Sequence, residues 1–214
     1  YTNEKKISVQ EVTATNKRSY LVLLLQPKFI QSVLVTGLAY SIMSFLMTAT
    51  PISMHILNQI SLAKTGFVVL LHMIAMFAPS LITGNLIKKF GHSKIMYVGV
   101  IILLFSILFN FINQDFYNYL IGLMLLGLGW NFLFISGTAL LVLSYTPDEK
   151  FRAQGLNDFV VFSTQAIGAL FAGYLLSFFG WKNINLLCIP ILILILLIIF
   201  ITDRKDKSIK ECND

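Results

Sequence analysis

Six stretches of this chain carry no Asp, Glu, Lys or Arg, and each is near or above the length that crosses a membrane. They are Phe29–Met54, Thr65–Ile87, Ile95–Ile112, Phe116–Tyr145, Phe159–Trp181 and Asn183–Thr202. A bilayer's hydrocarbon core is about 30 Å thick, so a helix rising about 1.5 Å per residue needs roughly 20 apolar residues to span it. A hydrophobic content of 57% fits no ordinary soluble domain with six such runs. The expected fold class is therefore all-α: an integral membrane protein with six transmembrane helices.

The positive charges give the expected orientation. Of the 16 Lys and Arg residues, 14 fall in the two ends and in the second and fourth loops, and only Lys64 and Lys182 fall elsewhere. Basic residues are retained on the cytoplasmic side, which places both termini and the Lys88–Lys94 and Lys150–Arg152 loops in the cytoplasm. The net charge of +6 is then a topology signal, aided by anionic membrane lipid, and calls for no nucleic-acid partner.

Other classes find little support. Cys188 lies within an apolar run and Cys212 in the polar tail, so no disulfide framework is expected. His55, His72 and His92 sit on separate segments without metal-ligand spacing, and no glycine-rich phosphate loop is present. No cofactor and no metal are expected. An intramembrane serine protease would need a base and a nucleophile motif. Ser136 precedes Gly137, but Phe134 stands where that motif has its first glycine.

Residues 1–19 are polar and charged, and are expected to be a mobile cytoplasmic segment. The chain opens on Tyr1, which suggests a piece of something longer. Tyr20, Leu21, Leu24 and Leu25 suggest a short interfacial helix ending at Gln26-Pro27, with Pro27 opening the first span. The transmembrane domain is expected over 20–202 and a basic cytoplasmic tail over 203–214. Pro51, Pro79 and Pro190 mark candidate kinks. Small residues let helices approach closely in lipid, so the fourth and fifth spans are expected to pack on each other through Gly127, Gly137, Gly168 and Ala172. The aliphatic sixth span is expected to face lipid.

A solute pathway through such a bundle needs polar or titratable groups near mid-membrane. Asp158 is the one carboxylate placed to enter the bilayer, about 9 Å of helical rise beyond Arg152. It reads either as a proton or cation site, or as an anchor paired with Lys88, Lys89 or Lys94. Phe162 and Gln165 follow it at i+4 and i+7, on one helix face, with Asn157 and Thr164 forming a neighbouring stripe. Asn131 interrupts an apolar run beside Trp130, and either binds solute or bonds a neighbouring helix. Trp130 reads either as a flat ring for stacking on a solute or as a packing aromatic. His72 titrates near neutrality and reads either as a proton relay or as a neutral side chain bonded to a carbonyl. Gln31, Thr36 and Tyr40 give the first span a polar-leaning face.

The loop Gly84-Asn85-Leu86-Ile87-Lys88-Lys89-Phe90-Gly91-His92-Ser93-Lys94 resembles the G-x-L-x-D-R-x-G-R-R-x signature of the major facilitator superfamily. Gly84, Leu86, Lys89 and Gly91 match. Lys88 stands at the acidic position, and His92 and Ser93 at later basic ones. Leu23–Phe29 is similar to the stretch entering the seventh helix of that family, and Pro147–Arg152 sits where the family has a later cytoplasmic loop. The segments at Thr50–His55 and His72–Ser80 are similar to a bacterial subgroup. A single Pro147-x-Glu149-x-x-Arg152 also fits the mitochondrial carrier pattern, but those carriers need three copies.

The resemblance implies one half, the C-terminal one, of a major-facilitator-type bundle, with an N-terminal six-helix half as its partner. It implies a non-enzymatic secondary transporter of a small solute in the bacterial inner membrane, working by alternating access and driven by an ion or proton gradient. The cytoplasmic gate would comprise Gly84, Leu86, Lys88, Lys89, Gly91 and Lys94. A non-transporting receptor or assembly factor on the same fold is the alternative.

Overall fold

The computed structural model describes residues 20–211; the expected mobile segment at 1–19 and Cys212 lie outside the described residues. Helices dominate, and no strand occurs among the described residues. A short helix α1 (Tyr20–Leu24) leads to α2 (Pro27–Pro51), which Pro27 opens at a position where a missing N–H costs nothing. Pro51 cannot continue the α-helical ladder, and the chain runs on as a π-helical turn, Ile52–Leu57. The second span is two pieces, α3 (Leu62–Phe77) and α4 (Ser80–Phe90), parted at Ala78-Pro79. Then follow α5 (His92–Ile112), α6 (Phe116–Val142), α7 (Lys150–Leu186) and α8 (Cys188–Glu211).

The last two spans come from one helical stretch, Pro147–Lys205, of 59 residues. At about 1.5 Å each it would reach some three bilayer thicknesses if straight. Gly180 divides it, at φ +71°, a backbone conformation that L side chains disfavour. The chain thus crosses six times. α8 continues past Thr202 to Glu211, so part of the segment expected as a tail is helical.

The helices form a row with two more behind. α6 packs on α3 and α4 on one side and on α2 on the other, and α2 packs on α7. Behind this row, α5 lies against α6, and α8 against α2 and α5. The main core lies between the row and this back layer, around Leu46, Met96, Leu103, Leu123, Leu133 and Ile195. α8 is therefore only partly lipid-facing: Cys188, Leu192, Ile195 and Ile199 are buried, while Ile193, Leu194, Leu197 and Ile201 are exposed.

One packing expectation is corrected. α6 and α7 barely meet, because α2 lies between them. Their glycines serve other seams. A Cβ on Gly168 would sit 2.7 Å from the Ser41 carbonyl oxygen of α2; one on Gly137 would strike Thr36, also of α2; one on Gly127 would lie 2.7 Å from the His72 carbonyl of α3. Burying a larger side chain where backbones meet forces the helices apart, at a cost of about 1–3 kcal/mol. Gly168→Leu should accordingly lower the thermal midpoint of the detergent-solubilised protein. An unchanged midpoint would show that α2 and α7 part freely there.

Candidate functional site: an aromatic row and its polar flank

Four helices of the front row contribute rings to one face. Phe77 comes from α3, Trp130 and Phe134 from α6, Tyr40 from α2, and Phe162 from α7. Trp130 is the hub. It stacks on Phe134 at 4.7 Å and 12°, and meets Tyr40 edge-on at 5.1 Å and Phe77 edge-on at 6.4 Å. Tyr40 also contacts Phe134 at 5.4 Å and Phe162 at 6.5 Å. Offset and edge-on pairs of this kind hold one another in place. No ring in the row comes from α5 or α8. Trp130 is buried, and its indole N–H has no acceptor among the described residues. Phe77 and Phe162, at the two ends of the row, are each 59% exposed. The most exposed rings are thus the terminal ones, while Trp130, for which the sequence left both stacking on a solute and packing open, is buried against its neighbours.

Asp158, Phe162 and Gln165 fall on the same side of α7. Ile167, Phe171 and Leu175 turn the other way, into a cleft of about 210 Å³ against α2 and α8. Asp158 is exposed and accepts a hydrogen bond from its neighbour Asn157 at 3.2 Å. Among the described residues it makes no ion pair, so the expected anchor to Lys88, Lys89 or Lys94 is not found. Gln165 is half-buried, and its carboxamide makes no hydrogen bond among the described residues. The neighbouring stripe belongs to the α2–α7 seam instead. Thr164 donates to the Gly37 carbonyl at 2.9 Å, and Thr36 to buried Asn157 at 3.3 Å.

Asn131 and His72 lie in the seam between α6 and the broken second span. Asn131 is fully buried; its amide donates to the Met76 carbonyl at 2.7 Å and to Ser80 Oγ at 2.6 Å, and its oxygen accepts from Thr83 at 2.8 Å. It stitches both sides of the Pro79 break to α6. His72 is enclosed, with Nδ1 2.7 Å from the Leu123 carbonyl. A carbonyl only accepts, so the proton sits on Nδ1, and Nε2 faces no partner among the described residues. Asn131→Leu should therefore act on stability. Interhelical hydrogen bonds in membranes average about 0.6 kcal/mol and reach about 1.7; with three on one side chain, the upper end is expected. Thermal unfolding and uptake kinetics would separate the roles: a raised KM at unchanged stability would make Asn131 a solute contact.

The model of the Major Facilitator Superfamily matches residues 32–211, most of the chain. The chain belongs to that superfamily. It is 41% identical over 174 residues to the riboflavin transporter RfnT of Brucella anthropi, covering 81% of this chain and 44% of that protein. It is 34% identical over 165 residues to the uncharacterised MFS-type transporter YddS of Bacillus subtilis, covering 73% of this chain and 38% of that one. YdeG, another such transporter of Bacillus subtilis, is 32% identical over 155 residues, covering 72% and 36%. The chain thus spans less than half the length of the curated relatives it matches. It is an integral membrane protein of that superfamily.

In this facilitator chain the loop motif takes a definite shape. Lys88 and Lys89 end α4 and are exposed. Gly91, at φ +90°, turns the chain into α5, and Lys94 is exposed in the first turn of that helix. Gly84 has open space around it, and half-buried Leu86 packs beside Ile87, Ile95 and Phe132. Sequence reasoning passed over a polar knot at this same end. Gln31 donates to Ser93 Oγ at 3.0 Å, Ser93 donates to Asp203 at 2.5 Å, and these residues line a cavity of about 220 Å³ with Lys28 and His92. It joins α2, α5 and α8. Phe77 and Phe134 were missed as well, since an aromatic residue in an apolar run carries no local sign of the face it will take.

Proposed function

We propose that this chain forms one six-helix half, the C-terminal one, of a secondary active transporter that carries a planar aromatic solute of the riboflavin type. The observation that carries this reading is the row of rings across four helices, with Phe77 and Phe162 exposed at its two ends. A flat, partly apolar solute gains most from such a surface, because stacking needs ring faces more than charges. The name of the Brucella relative supports the same solute class. That the chain spans under half of its relatives supports a second six-helix half opposite the row, with the solute held between the two near mid-membrane. Alternating access then rocks one half against the other. The Gly84–Lys94 loop and the Gln31–Ser93–Asp203 knot act at the cytoplasmic end, and Asp158 couples the cycle to protons. The membrane is the bacterial cytoplasmic one.

The test is uptake of labelled riboflavin by cells that depend on an external supply and express the full-length transporter. Saturable uptake that excess unlabelled riboflavin competes away is expected; failure to take up any flavin removes this solute class. The orientation is tested separately. Impermeant thiol reagents should reach cysteines placed at 115 or 183 from outside intact cells, and not cysteines at 92 or 207, as the basic asymmetry requires. The reverse pattern would invert the topology.

A further inference from the structure

Gln165 is a polar group that this protein leaves unused in a costly place. It lies fifteen residues from Lys150 and fifteen from Gly180, midway along the part of α7 before the Gly180 break, and six residues inside the uncharged run that opens at Phe159. There a half-buried carboxamide without a partner is disfavoured, because its donors and acceptor have lost part of their water. Several polar side chains nearby are already committed. Asn131 has three partners within the protein, Thr164 is bonded to Gly37 and Asn157 to Thr36. Gln165 combines a donor and an acceptor, neither partnered among the described residues, with a place one turn from Phe162, on the side of α7 that carries the end of the aromatic row.

We infer that Gln165 reads the hydrogen-bonding edge of the solute whose face lies on Phe162, and that this edge is a ring lactam or imide. A carboxamide presents N–H and C=O side by side. Its complement is an adjacent C=O and N–H in one plane, so that two parallel hydrogen bonds form. The same group reads the adjacent donor and acceptor of adenine in this way in nucleic-acid recognition. The ring system of riboflavin carries such an edge, an N–H between two carbonyls, so this inference rests on the solute class proposed above.

The test uses the purified full-length transporter, with riboflavin and 3-methylriboflavin as probes. The methyl group removes the imide N–H and leaves the ring face intact. Flavin fluorescence, quenched on stacking, gives both dissociation constants. Wild type is expected to bind riboflavin at least tenfold more tightly than the methylated compound. Gln165→Leu is expected to bind both with the weaker constant. Gln165→Glu, which keeps the shape and the acceptor, is expected to retain most of the discrimination, which guards against a folding defect in the leucine variant. Tight riboflavin binding with unchanged discrimination in Gln165→Leu would overturn the assignment of Gln165 and leave the solute class standing. If wild type binds neither flavin, the solute class fails and this inference falls with it.

Discussion

Phe162→Ala in the full-length transporter is expected to raise the KM for riboflavin by about 5- to 150-fold with little change in folded yield. The range follows from stacking on one aromatic side chain, worth about 1–3 kcal/mol for a flat base, at a factor of ten per 1.4 kcal/mol. The side chain is 59% exposed and makes a single ring contact, at 6.5 Å to Tyr40. Its removal leaves no closed cavity to destabilise the fold. Phe162→Trp should retain the affinity, since a larger ring face replaces the smaller one. Trp130→Ala makes the contrast. Trp130 is buried and touches three rings, so its loss should lower the thermal midpoint as well as uptake. If Phe162→Ala transports riboflavin with the wild-type KM, the row is a packing device and the solute lies elsewhere.

The contrast between these two rings bears on what a sequence of this kind discloses. The spans, the breaks at Pro51 and Pro79 and the loop motif were legible, because they follow from one-dimensional patterns: runs of uncharged residues, missing backbone donors, glycine and lysine at fixed spacing. The family followed from the same patterns. Which face each helix turns inward was less legible. Apolar residues cover all sides of these helices, so no periodicity separates Phe77, on the open face, from Met76, buried one residue before it. Polar residues gave the better guide on α7, where Asp158 and Gln165 share a side. They misled on α2: Thr36 spaced like a lining residue is bonded to Asn157, and Gln31 to Ser93. The glycines marked close approach correctly but not the partner, since only the assembled bundle shows that α2 intervenes between α6 and α7.

Asp158→Asn is expected to abolish concentrative uptake of the solute while sparing exchange of labelled for unlabelled solute across the membrane. An amide has the shape of a protonated carboxyl and no proton to release, so the loaded carrier can still reorient but cannot harvest a gradient. The expectation rests on where the residue lies. A carboxylate anchoring a cytoplasmic gate would lie against a lysine or arginine, whereas Asp158 is exposed, bonded to Asn157, and placed on the same side of α7 as Phe162 and Gln165. Its coupling to the lysines of the gate loop should therefore be at most that of an exposed pair, about 0–1 kcal/mol, and a double-mutant cycle with Lys88, Lys89 or Lys94 measures it. A larger coupling, with accumulation and exchange falling together, would restore the anchor. Wild-type accumulation in Asp158→Asn would move the search to His72. That residue would first have to open the seam between α3 and α6, because its free Nε2 is now closed off from any proton donor.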